Sequence, residues 1–144
     1  MKVAGSKPMA IDLSALMSAS LPTKLHVATI LPAFVIGTWL IAASKKGAPL
    51  HRKLGWLFLA LMTVSATTTL FIHEVNPNGV LGLSVIHLFV PLTFFGVAGA
   101  ILGVRTHNIR RHRNATIGLY VGGLLIAGAL TFAPGRIMHQ IFFS

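Results

Sequence analysis

Four stretches of this chain each run for about twenty residues with almost no formal charge, and that pattern decides most of what it can become. They cover residues 21–44, 54–73, 81–104 and 115–133, and the only Lys or Arg among them is Lys24, at the edge of the first. Crossing the hydrocarbon of a bilayer takes about 20 predominantly apolar residues. Inside lipid every backbone N–H and C=O must be paired within its own segment, so stretches of this kind are helices and not open strands. The expected fold is therefore all-α, an integral membrane four-helix bundle. Only 10% of the residues are charged, against roughly 25% in a soluble domain, which agrees with lipid as the solvent.

The charges that remain give an orientation. The loop after the first stretch holds Lys45, Lys46, Arg52 and Lys53, and the loop after the third holds Arg105, Arg110, Arg111 and Arg113. The other side holds Lys2, Lys7, Lys24 and Arg136, offset by Asp12 and Glu74, the only two acids in the chain. Cytoplasmic loops collect Lys and Arg, so the eight-to-four bias puts both termini outside. The formal charge of +10 is thereby accounted for by topology, and a nucleic-acid function is disfavoured because the cations are split between two tight loops. Residues 1–20 have a basic start without a sustained apolar run and read as an interfacial lead-in rather than a cleaved leader. Asn76-Pro77-Asn78-Gly79 is a turn signal, and Pro134-Gly135 ends the last span, leaving residues 134–144 as an outer-surface tail.

Shifting the sequence by 61 residues lays one half on the other. His26 falls on His87, Phe34 on Phe95, His51-Arg52 on His112-Arg113, Ala66 on Ala127 and Phe71 on Phe132. The bundle then reads as a duplicated two-helix hairpin, with repeats at about 21–73 and 81–133, related by an axis along the membrane normal. Helical spacing puts His26, Thr29, Ala33 and Gly37 on one stripe and Met62, Ser65, Thr69 and His73 on another. Gly118, Gly122 and Gly123 are small enough to let helices approach closely.

Ionisable side chains inside a membrane are functional candidates by default, and here they are histidines. His26 and His87, related by the repeat, are the candidate axial ligands of a haem b near the outer face, since helix bundles build cofactor sites from side chains on facing helices. Arg136 is a candidate partner for a propionate. His73 and His139, with His26 and His87, form the candidate set for a non-haem metal, because imidazole suits zinc, copper, iron and nickel. The absence of cysteine removes disulfides, thiolate sites and covalent haem attachment. His51-Arg52 and His112-Arg113 sit at the opposite face. There they serve as topology anchors, with an anionic headgroup, a quinone or a phosphorylated ligand as the functional alternative. No paired carboxylates, phosphate loop or nucleophile–base set is present, so no catalytic residue is assigned.

The runs KGAPLHRKLGW (46–56), IHLFVPLT (86–93), RRHRNATIGLYVGG and GALTFAPGR resemble an uncharacterised bacterial family of four-span membrane proteins, domain of unknown function 2306. The resemblance extends from His26 to Arg136, with Thr116 standing where the family often carries methionine. It implies four membrane helices in the bacterial inner membrane and brings no activity with it. A looser likeness is to b-type cytochrome bundles and to small histidine-containing membrane proteins that assist haem–copper oxidase assembly. Two functional expectations result. One is a haem-b protein for electron transfer or respiratory-complex maturation. The other is a non-catalytic accessory subunit or assembly factor of a larger membrane complex, without its own cofactor.

Overall fold

The computed structural model describes residues 13–72 and 85–132. Among them the chain is helical, with no strand. A short helix α1 (Ser14–Ser18) precedes α2 (Leu21–Ala42), and α3 spans Pro49–Thr69. A 3-10 turn, Val85–Leu88, runs into α4 (Phe89–Arg105). Then come α5 (Ile109–Gly118), a π-helical stretch Leu119–Ile126 and α6 (Ala127–Leu130), which together make one 22-residue helix. Of these, Leu21–Ala42 and Ile109–Leu130 are long and apolar enough to cross a membrane. Helix α4 is apolar but shorter. Helix α3 is long enough, and its opening cations and closing threonines dilute its hydropathy.

Helices α3 and α5 start earlier than the apolar runs they lead into, at 49 and 109 rather than 54 and 115. The cause is local. Pro49 occupies the first turn of α3, where a fixed φ is favourable and a missing N–H costs nothing. The Asn108 side chain accepts from Arg111 N at 2.9 Å and caps α5, satisfying one of the free N–H groups of the first turn. The cations Arg52, Lys53, Arg110, Arg111 and Arg113 thus sit within the first five residues of α3 and α5, where long side chains can reach water while their stems stay against apolar surface.

The helices follow one another around a ring. Helix α2 packs on α3, α3 on α4, α4 on α5 and the π-helical stretch, and that stretch packs back on α2. This order sets α2 diagonally across from α4. The core consists of Ala33 and Leu40 from α2, Phe58, Leu59 and Met62 from α3, Ala100 from α4, and Leu119 and Leu124 from the last helix. Gly37 is the point where three helices meet. A Cβ there would lie 2.8 Å from Phe58 Cε2 and 3.0 Å from Tyr120 Cδ2. Tyr120 stacks on Phe34 at a centroid distance of 6.1 Å and shares a 2.8 Å hydrogen bond with Thr38 Oγ1. Phe58→Ala empties the largest buried side chain of this junction, and a loss of about 3 kcal/mol is expected. Thermal unfolding in detergent measures it.

The distribution of polarity is the reverse of a soluble protein's. Thr23, Ser44, Ser65, Thr68, Thr69 and Thr93 are buried, while Val35 is 66% and Phe95 77% exposed. In water this arrangement would leave large apolar patches bare. In lipid it places the groups that need partners inside and the groups that need none outside.

The two stripes read from the sequence are largely where helical spacing puts them. Ala33 and Gly37 on α2, and Met62, Ser65 and Thr69 on α3, are buried. The glycines of the last helix divide. Gly122 is buried with Leu92 Cδ2 beside it, and Gly123 meets Met62 Cε, but Gly118 faces open space. The π-helical stretch contains both of the glycines that make contact. Gly118, the last residue of α5, thus does not serve the close approach expected of it.

Candidate functional site

His26 stands one turn into α2 and reaches across to the C-terminal half of α3. Its Nδ1 lies 3.0 Å from the Ser65 carbonyl oxygen, 3.1 Å from Ser65 Oγ, 3.1 Å from Thr69 Oγ1 and 3.5 Å from Thr68 Oγ1. The carbonyl can only accept, and the hydroxyls of Thr68 and Thr69 already donate to it at 2.8 and 2.9 Å. Nδ1 therefore carries the proton and donates. The neutral imidazole then has its lone pair on Nε2, the tautomer in which a histidine is held by one nitrogen and offers the other. Thr29, expected to share the His26 face, turns its hydroxyl back to the carbonyls of Leu25 and His26 instead. Helical spacing in the sequence marked Ser65 and Thr69. It missed Thr68, because a residue adjacent to Thr69 points about 100° away unless the interface is wide enough to take both.

His87 is half-buried on the 3-10 turn that opens α4. In a ring of helices that alternate in direction, the starts of α2 and α4 lie at the same end. His26 comes sixteen residues before the end of α2 at Ala42, and His87 eighteen before the end of α4 at Arg105. At 1.5 Å per residue these are depths of roughly 24 and 27 Å from the opposite face. His73, His139 and Arg136 lie outside the described residues, as do the 76–79 turn, Asp12, Glu74 and the 134–144 tail. Among the described residues no three His, Cys, Asp or Glu side chains come together as a metal set.

The Lys/Arg-rich end is built around the second pair of histidines set 61 residues apart, His51 and His112. Ser44 Oγ donates to the Leu40 carbonyl at 2.8 Å and so accepts from His51 Nδ1 at 2.7 Å. His112 Nδ1 donates to the Ala100 carbonyl at 3.0 Å. Each histidine thus ties the first turn of a returning helix to the helix before it, α3 to α2 and α5 to α4. The residue 61 positions after Ser44 is Arg105, and His112 reaches the carbonyl directly. Gly103 makes this reach possible, because the backbone of His112 lies where its Cβ would be. Lys46 Nζ donates to the carbonyls of Leu40 and Ile41 and to Ser44 Oγ, closing the end of α2. Burial first, then the Lys46 ammonium and His112, holds the His51 imidazole below its ordinary range. It is neutral at pH 7.

A helical chain with lipid-facing leucines and phenylalanines, buried hydroxyls and cations confined to helix ends is an integral membrane protein. The chain belongs to the family described as "Predicted membrane protein (DUF2306)", whose profile matches residues 23–143. No curated protein matches the chain, and no solved structure matches it.

Proposed function

We propose that the protein is a multi-pass protein of the bacterial inner membrane that binds one haem b near the outer face, for electron transfer or the maturation of a respiratory complex. The reading takes the four long helices as a four-span bundle made of a duplicated hairpin, with both termini outside. The observation that carries it is the His26 tautomer. A ligand histidine almost always donates its second ring N–H to a carbonyl or carboxylate, which fixes the ring and raises the basicity of the ligating nitrogen. His26 has that support from Ser65, with Nε2 left as the donor atom. His87, its repeat partner at similar depth across the bundle, would supply the second axial position, and Arg136 a propionate contact. His73 and His139 stay candidates for a metal on the same side. Bound there, haem would supply reversible one-electron chemistry, and the apolar walls would set its potential through burial. The experiment is an absorption spectrum of full-length protein purified after expression with ample haem. A Soret band at near-stoichiometric haem supports the reading.

A second reading has its own observation. The hydroxyls of Ser65, Thr68 and Thr69 satisfy His26 fully on one side, as an interhelical tie requires. On that account the protein is a non-catalytic accessory subunit or assembly factor, its exposed apolar surface shared between lipid and the subunits of a larger complex. Colourless protein that co-purifies with partner subunits supports this one.

Orientation has a separate test, made easy by the lack of cysteine. Single cysteines at Gly47 and Asn108 are expected to be protected from an impermeant thiol reagent in intact cells, and one at Asn78 to be labelled. Labelling of the first two reverses the topology.

A further inference from the structure

Helices α4 and α5 begin as a tight seam at the basic end and then part. A Cβ on Gly103 would meet the backbone of His112, and one on Gly99 would lie 3.2 Å from Ala115 Cβ. Further out, the buried Leu119 packs on Gly96 between them, and a cavity of about 280 Å³ is left beside it. Gly96, Ala115, Gly118, Gly123 and Phe95 stand around this cavity. The residues 61 positions before the first four are Val35, Leu54, Leu57 and Met62, so the small side chains are particular to this hairpin. The cavity opens on the outer surface of the helices, since Gly118 is exposed and a Cβ there would meet nothing within 4 Å. On its rim, Phe95 is 77% exposed, the barest large side chain of α4. Phe95 comes ten residues before Arg105, and Gly118 nine after Ile109. At 1.5 Å per residue both lie about 14–15 Å from the basic end, near the middle of a hydrocarbon layer about 30 Å thick.

We propose that this face of α4 and the last helix joins two copies of the chain about a two-fold axis along the bilayer normal, with Phe95 of each copy seated in the Gly96–Gly118 cavity of the other. A two-fold interface uses the same patch on both copies. An axis along the normal also keeps every atom at its own depth, so a knob enters its partner's hole only where the two lie level. Phe95 and Gly118 do. Headgroups and water-soluble ligands do not reach that level, and an extended peptide there would leave its backbone groups unpaired. An acyl chain can reach it, but filling a fixed cavity orders a chain with many torsions. The Phe95 ring has two, and it brings the large apolar area of an aromatic side chain. Small residues are what let helices from different chains approach in lipid, where packing drives association. The two basic ends then stand in the same headgroup layer, and salt screens their repulsion. The proposal rests on the membrane assignment and is independent of haem.

Energy transfer between donor- and acceptor-labelled copies tests it, with full-length protein in liposomes labelled at a single cysteine in place of the exposed Lys45. Wild type is expected to keep transfer above the level of random encounters as protein is diluted in lipid. Transfer at the random level means that lipid covers the cavity, and overturns the second copy as its occupant. Phe95→Ala removes the knob, and Gly118→Leu plugs the hole at a position where a side chain has room. Each should weaken association about tenfold or more. Val35→Ala, which trims an exposed side chain on α2, should leave it unchanged. Association that Phe95→Ala does not weaken, or that Val35→Ala weakens equally, lies on another surface and overturns this one. The decisive arm mixes the two variants. Copies with Phe95→Ala keep the hole and copies with Gly118→Leu keep the knob, so a mixed pair retains one intact contact and should associate more tightly than either variant with itself. A mixture no tighter than the variants alone overturns the knob and hole. If Gly118→Leu fails to fold by circular dichroism, the wild-type dilution and Phe95→Ala still decide.

Discussion

His26→Ala is expected to remove the haem spectrum from purified protein, whereas His51→Ala and His112→Ala leave it intact. Nδ1 of His26 is bound to the Ser65 carbonyl at 3.0 Å, so only Nε2 is available to a metal, and alanine has no substitute for it. His87→Ala should act in the same direction if both axial positions are histidine. A finer comparison comes from the supporting residues. Ser65→Ala keeps the backbone carbonyl, and haem should remain. Thr69→Val loses a hydroxyl 3.1 Å from Nδ1 and should weaken binding by about tenfold at most, at the low end of what outer partners of a ligand histidine contribute. The second histidine pair is a built-in control, since His51 and His112 are spent on hairpin ties at the opposite end. Wild-type protein that stays colourless with haem supplied, and carries no metal by elemental analysis, sinks the cofactor reading and leaves the accessory subunit standing alone.

Gly103→Val should be the most damaging single change in the second hairpin. A Cβ at Gly103 meets the backbone of His112 itself, with its Cα at 2.7 Å and Cβ at 2.9 Å. A flexible side chain could swing aside, but here the obstacle is the first turn of α5, so the two helices must separate. Separation also breaks the His112–Ala100 hydrogen bond. Overpacking costs about 1–3 kcal/mol in typical cores, and with backbone as the obstacle the upper end is expected, read as a lower unfolding temperature in detergent. Gly55→Ala is the contrasting case. Nothing lies within 4 Å of a Cβ there, and replacing a mid-helix glycine should stabilise α3 by up to about 1 kcal/mol. If Gly103→Val unfolds no earlier than Gly55→Ala, the close approach of α4 and α5 is wrong.

The membrane class of this protein was legible in its sequence, because lipid imposes a rule that composition alone can display: apolar runs of spanning length, with the cations expelled to their ends. The buried stripe of Met62, Ser65 and Thr69 was legible for a related reason, since a regular helix repeats its faces every 3.6 residues. The 61-residue spacing singled out both histidine pairs, and the neighbouring cations assigned them to opposite faces. Tertiary structure supplied their partners. It bonded His26 to the carbonyl and hydroxyls of α3, 39 to 43 residues away, and bonded His51 to Ser44 just past the end of α2 and His112 to the Ala100 carbonyl of α4. Which nitrogen of each ring carries the proton follows from whether its partner can only accept, and that depends on which groups meet across an interface. The π-helical stretch at Leu119–Ile126 and the bare face of Gly118 were hidden for a similar reason. A helix yields to its neighbours' packing where two adjacent glycines allow it, and no periodicity in the sequence records where that happens.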